Sequence, residues 1–244
     1  MASGEILRVE ELRKSFGPKV VHAGVSFSLK RSETIGLLGN SGTGKSVLLR
    51  CLIGLETMDA GEVWLDQERI DLYAEEQLVR TRTRMSYAFQ SGALFDSLTV
   101  YDNIAYPVRE HLRLNETEES HRVHEVLRLV RLDEAAQLYP SDLSGGMQKR
   151  AGLARAMVLK PDVILYDEPT AGLDPVNVEN VLEIMRSFKA RGVAGIFVTH
   201  DIPAAKKVCD RLLIIDQGRI AFQGSVRDFE ESTLPIVKKF QTAH

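Results

Sequence analysis

Apolar and polar positions alternate in short runs separated by longer stretches of helical period. Residues 6–16 (I-L-R-V-E-E-L-R-K-S-F) predict a strand, Gly17-Pro18 breaks it, and 25–29 alternate again. Largely apolar runs at 34–38, 163–168 and 194–199 predict buried strands, and 85–90 (M-S-Y-A-F-Q) a short one ending in an amide. Residues 72–84 read as a charged helix with a solvated face. Asn115 and Glu118 stand as a capping pair for a helix over 115–132, with Val123, Val126, Leu127 and Val130 on one face. Met147, Ala151, Ala154 and Val158 share a face of another helix, and a third starts at Asp174-Pro175 and ends near Gly192. Residues 212–215 and 220–223, joined at Gln217-Gly218, predict a closing hairpin. Composition shifts at Ser91, so 91–155 is expected to form a helical lobe inserted into an α/β core. The tail, 225–244, reads as a short docking helix or a loose end.

A chain of 244 residues can bury a core as one domain with a sub-lobe, so 1–244 is taken as a single unit. Charged residues make up 27%, hydrophobic ones 44%, and the net charge is −3, so no basic excess points to nucleic acid. No run approaches the roughly 20 apolar residues of a membrane span. The start, M-A-S-G-E-I-L-R, lacks a charged-then-apolar leader, and the expectation is a cytoplasmic protein. Cys51 and Cys209 read as small buried apolar residues.

The candidate chemistry centres on 34–49, an apolar strand, the loop G-N-S-G-T-G-K-S and a helix opening at Val47. Gly39, Gly44, Lys45 and Ser46 have the spacing of a phosphate-binding loop. Its glycines bring backbone N–H groups onto phosphate oxygens, and the helix start adds its partial positive charge. Lys45 supplies a point charge and the Ser46 hydroxyl can ligate Mg²⁺. L-S-G-G-M-Q forms a second anion-binding helix start, with Ser144 as cap and the N–H groups of Gly145 and Gly146 in the first turn. The run V-I-L-Y-D-E ends in two acids: Asp167 suits Mg²⁺, directly or through water, and Glu168 suits polarising an attacking water. His200 ends a strand of the kind whose carboxyl end faces a ligand crevice. Gln90 either ligates a metal or orients water, or caps its strand, and spacing does not decide. Taken alone, Phe16 reads better as a core or edge aromatic than as a base-stacking face. His121 and His124 lack further convergent ligands and read as a solvated helix face.

Together these motifs resemble the ATPase subunit of ABC transporters over nearly the whole chain. G-N-S-G-T-G-K-S resembles the Walker A motif, L-S-G-G-M-Q the ABC signature, V-I-L-Y-D-E the Walker B motif and A-G-L-D the D-loop. Gln90 falls at the Q-loop position, His200 at the switch-histidine position and Phe16 at the adenine-stacking aromatic. The resemblance implies a P-loop NTPase (RecA-like) α/β core with an N-terminal antiparallel β-subdomain and an inserted α-helical subdomain. It implies ATP and Mg²⁺, with ATP contacts from Phe16, Gly39, Asn40, Ser41, Gly42, Thr43, Gly44, Lys45, Ser46 and Val47. Across a head-to-tail homodimer the same ATP would meet Ser144, Gly145, Gly146 and Asp174. Metal contacts would come from Ser46, Gln90 and Asp167, and catalysis from Glu168, His200 and Gln90. Met147 stands where many members carry Gln.

A narrower resemblance, on F-Q-S-G-A-L-F-D-S-L-T-V-Y-D-N-I-A-Y-P-V-R-E-H together with L-S-G-G-M-Q-K-R-A-G-L-A-R-A, is to the ATPases of Mla-type (MCE-associated) phospholipid transporters. It implies an MlaE-like integral membrane permease, an MCE-domain (MlaD-like) lipid-binding protein and a STAS-domain (MlaB-like) subunit as partners. The chain would then sit on the cytoplasmic face of the inner membrane. The alternatives are a transporter for another cargo and a soluble ABC ATPase. The absence of a long heptad run and of a second cassette disfavours the soluble reading.

Overall fold

The computed structural model describes residues 4–242. Two sheets stack around the cradle strand. The smaller is antiparallel, in the order β2-β1-β4-β5, from β1 (Glu5–Phe16), β2 (Lys19–Lys30), β4 (Ala60–Leu65) and β5 (Glu68–Arg69). The larger runs β10-β9-β3-β8-β7-β6. Its strands are β3 (Thr34–Leu38), β6 (Met85–Ala88), β7 (Val163–Asp167), β8 (Ala194–Val198), β9 (Arg211–Asp216) and β10 (Arg219–Ser225). β3 lies between β8 and β9, parallel to both, which brings the carboxyl ends of β3, β7 and β8 to one edge.

Every residue of β3, β7 and β8 is buried, the pattern of parallel strands covered on both faces. β10 is antiparallel and alternates in exposure. One apolar cluster lies between the two sheets, with Ile6, Leu7, Leu37 and, from α1 (Lys45–Leu52), Leu48 and Leu49. Another lies between the large sheet and the helices α3 (Val100–His111), α4 (Glu116–Leu129), α5 (Gly145–Met157) and α6 (Pro175–Ala190). The remaining helices are α2 (Glu75–Arg84), α7 (Ile202–Val208), α8 (Val226–Glu231) and α9 (Pro235–Thr242).

The caps explain why the helices start where they do. The Asn115 side chain accepts from Glu118 N, and the Glu118 carboxylate accepts from Asn115 N, at 3.0 Å each. Asp174 accepts from both Val176 N and Asn177 N at 3.0 Å, with Pro175 in the first turn. Several boundaries differ from the sequence expectation, among them the end of α4 at Leu129 rather than Leu132. The second strand begins at Lys19, six residues before the apolar alternation, because pairing with β1 carries its exposed start. The charged helix begins at Glu75 rather than Leu72, where the Gln77 side chain accepts from Ala74 N. The tail docks as two helices that bury Phe229 and Val237.

Phe188 on α6 is fully buried against the large sheet. Phe188→Ala is expected to cost about 3–5 kcal/mol of stability by leaving a cavity, read from urea unfolding. A loss under about 1 kcal/mol would show that the site collapses around the gap.

Candidate nucleotide site

The loop after β3 is shaped by close approach. A methyl group on Gly39 would lie 2.7 Å from Thr43 Oγ1 and 3.0 Å from the Ile215 carbonyl oxygen. Gly44 has φ +89°, and a methyl there would meet Val21 Cγ1 at 2.3 Å. Thr43 closes the turn, its hydroxyl donating to the Asn40 carbonyl at 2.9 Å. Asn40, Ser41 and Gly42 are exposed at the rim.

Lys45 is buried beneath this loop, and its Nζ donates to the carbonyls of Gly39 (2.7 Å) and Asn40 (3.1 Å). Two of its three N–H donors are used, so one is free. Burial lowers the ammonium's pKa, and the charges of Glu168 and Asp167 act against that shift. A buried cation at a helix start is a fitting partner for phosphate.

The acidic side comes from the end of β7. Asp167 is buried; its Oδ1 accepts from Ser46 Oγ at 2.7 Å and its Oδ2 from Tyr87 Oη at 2.7 Å. Desolvation, and then the Asp167 carboxylate, push the Tyr87 phenol above its ordinary value, so it stays a donor. The hydroxyl and carboxylate oxygens of Ser46 and Asp167 are the hard donors that Mg²⁺ takes, so this pair fits that ion.

Glu168 leaves the strand in a left-handed conformation, φ +47°. Its N–H donates to the Val198 carbonyl at 3.0 Å, tying the end of β7 to β8. The His200 Nδ1 stands 3.6 Å from Glu168 Oε2, beyond hydrogen-bond length, and the His200 side chain is 66% exposed against 24% for Glu168. A carboxylate and an imidazole thus face each other at the open side of the loop.

Gln90 is exposed two residues beyond the end of β6. Phe16 is an exposed edge aromatic at the end of β1, with Lys14 Nζ 4.6 Å from its ring centre, so the core reading of this side chain does not hold. Ser144 caps α5, accepting from Met147 N at 3.3 Å, and a methyl on Gly146 would press on Asn177 Oδ1 at 2.6 Å. Among the described residues no hydrogen bond joins 39–46 to 144–146. The structure brings Lys45, Ser46, Asp167, Glu168 and His200 together in one chain and leaves the Ser144 helix start apart from that group.

A family model described as "ABC transporter" matches residues 22–171. The chain belongs to the ABC transporter family. It is 38% identical to the chloroplastic protein TRIGALACTOSYLDIACYLGLYCEROL 3 of Arabidopsis thaliana, covering 98% of this chain and 74% of that one. It is 38% identical to the intermembrane phospholipid transport system ATP-binding protein MlaF of Escherichia coli K12, covering 92% and 84%. It is 37% identical to the methionine import ATP-binding protein MetN of Rhizobium johnstonii, covering 92% of this chain and 62% of that one. The chain therefore spans under two-thirds of the MetN length. In structure it is similar to the dimeric ATP-binding cassette MJ0796 in a post-hydrolysis state with ADP and Pi. The TM-score is 0.84 at 26% identity, over 91% of this chain and 99% of that one. This ABC ATPase binds and hydrolyses ATP as a transporter subunit.

The sequence motifs did not single out four residues that the ABC ATPase places at this site. Tyr87 holds the second Asp167 oxygen from 80 positions away in the chain. Lys149, on the Ser144 helix, donates to the Ala171 carbonyl just past Glu168, and burial lowers its pKa. From α9, Lys239 and Phe240 line a cleft with Asn40, Ser41, His200 and Asp216. The alternation of M-S-Y-A-F-Q places Tyr87 on the same side as Met85 and Phe89, which is the signal that was available for it.

Proposed function

We propose that this ABC ATPase powers phospholipid movement between membranes through a permease of the MlaE kind. Overall identity does not separate lipid from methionine relatives, at 38% and 37%. The observation that carries the lipid reading is the segment 91–106, whose sequence resembles Mla-type ATPases and which borders an aromatic cleft.

That cleft, ≈ 400 Å³, is lined by Tyr87, Phe89, Phe95, Tyr106 and Pro107. Phe89, Phe95 and Tyr106 are exposed, and clustered exposed aromatics mark an interaction surface. Asn103, fully buried, pins the loop beneath them: its Oδ1 accepts from Phe95 N, and its Nδ2 donates to the carbonyls of Phe95, Leu98 and Thr99. On this reading 91–155 is the lobe that meets the permease. Gln90, at its root, passes motion between the nucleotide and that lobe. MlaD-like and MlaB-like subunits would complete the assembly, and the ATPase would sit peripherally on the cytoplasmic face. No described helix is long and apolar enough to cross a membrane.

The roles of the site follow from its chemistry. Lys45 and the N–H groups of 40–46 hold the outer phosphates. Ser46, Asp167 and Gln90 would hold Mg²⁺, which when bound would neutralise phosphate charge. Glu168 accepts the proton of the attacking water, with His200 beside it. Phe16 stacks on the base. A second copy, head to tail, supplies Ser144, Gly145, Gly146 and Asp174 to the same ATP, so ATP favours the closed pair through its higher affinity for that state.

Purification of the ATPase from native membranes, followed by mass spectrometry of bound lipid, tests the reading. A co-purified permease carrying phospholipid is the expected result. A permease complex free of phospholipid, with turnover stimulated by methionine, would establish the competing cargo.

A further inference from the structure

We infer that His22 is a positioning residue of the nucleotide site, holding the phosphate loop in shape through the carbonyl of Gly44. It deepens the nucleotide-binding reading above and rests on it. His22 lies on β2, in the other sheet, and is 1% exposed. Its Nε2 is 3.1 Å from the Gly44 carbonyl oxygen, which also accepts from Leu48 N at 2.8 Å. A carbonyl only accepts, so Nε2 carries the proton. Nδ1 is then a bare lone pair, and it is buried without a partner.

An apolar side chain would avoid that orphan, since a buried polar atom without a partner is destabilising. The return on the imidazole is its grip on one peptide. The unit from Gly44 to Lys45 is planar and trans, so its C=O and N–H point to opposite sides. Fixing the Gly44 carbonyl toward β2 aims the Lys45 N–H away from β2. That N–H belongs to the first turn of α1, where donors have no partner inside the helix. Gly44 has no side chain to cap this start, and its φ of +89° is a conformation that glycine reaches without steric cost.

His22 is itself clamped. Ala23 N donates to the Gly218 carbonyl at 2.8 Å, and a methyl on Gly218 would meet the Val21 carbonyl oxygen at 2.8 Å. Residues 21–23 are wedged between the loop and the β9–β10 turn. Across the β1–β2 pairing His22 stands opposite Lys14, two positions from Phe16. The sheet bearing the base-stacking aromatic is thereby fastened to the phosphate loop at His22.

The test measures ATP affinity of the full chain by calorimetry for His22→Leu, His22→Met and His22→Gln, with melting temperature in parallel and Lys45→Ala as reference. The two apolar variants are expected to weaken ATP binding about threefold to tenfold, the worth of one hydrogen bond, without a fall in melting temperature. His22→Gln, whose amide N–H can reach the same carbonyl, is expected to recover most of that loss. A merely structural histidine would move melting temperature and leave affinity alone. Parental affinity in the apolar variants, or no recovery in His22→Gln while Lys45→Ala loses ATP, overturns the role of His22. Parental affinity in Lys45→Ala overturns the nucleotide-loop reading itself, and this inference with it.

Discussion

Glu168→Gln is expected to cut ATP turnover by about 10²- to 10⁴-fold, the range supplied by a positioned general base. Nucleotide binding should persist. The swap keeps the shape of the side chain and leaves the backbone bonds of Glu168 untouched, its N–H to Val198 and its carbonyl from Ala171 N at 3.1 Å. Those bonds hold its left-handed turn, so the variant should fold with β7 and β8 in register. With hydrolysis blocked, ATP should accumulate in the closed head-to-tail pair, visible as a dimer by light scattering. The Glu168–His200 spacing of 3.6 Å leaves the carboxylate free of a strong partner and open to a water proton. Turnover within tenfold of the parent would place the base elsewhere.

Lys45→Ala is expected to lower ATP affinity about 100-fold or more. Each charge-assisted hydrogen bond to phosphate contributes about 1.5–3 kcal/mol, and the ammonium is a buried cation beneath the loop. The loss has a second part. The Gly39 and Asn40 carbonyls that Lys45 Nζ draws inward, at 2.7 and 3.1 Å, lose their donor, and the loop loosens. Isothermal titration with ATP reads the affinity, and a circular dichroism melt checks that the fold survives. Unchanged affinity would undo the assignment of residues 39–46 as the phosphate cradle.

What could be read along the chain was what is built from neighbours. The cradle spans one strand, one loop and one helix start. The spacing of Gly39, Gly44, Lys45 and Ser46 is therefore visible in eight consecutive letters. The caps at Asn115, Ser144 and Asp174 close their bonds within three residues, so they too were legible. The buried strands 34–38, 163–167 and 194–198 announced themselves because parallel strands covered on both faces must be apolar throughout.

Tertiary structure decided the rest, wherever a bond joins residues that only strand order brings together. Tyr87 meets Asp167 because β6 pairs with β7. His22 reaches Gly44 because the antiparallel sheet lies over the start of α1. Residues 19–24 carry no clean alternation and became strand through pairing with β1. Nothing in D-E-P announced the turn at Glu168, which depends on a bond to β8. Local chemistry wrote the motifs, and long-range pairing set which side chains stand beside them.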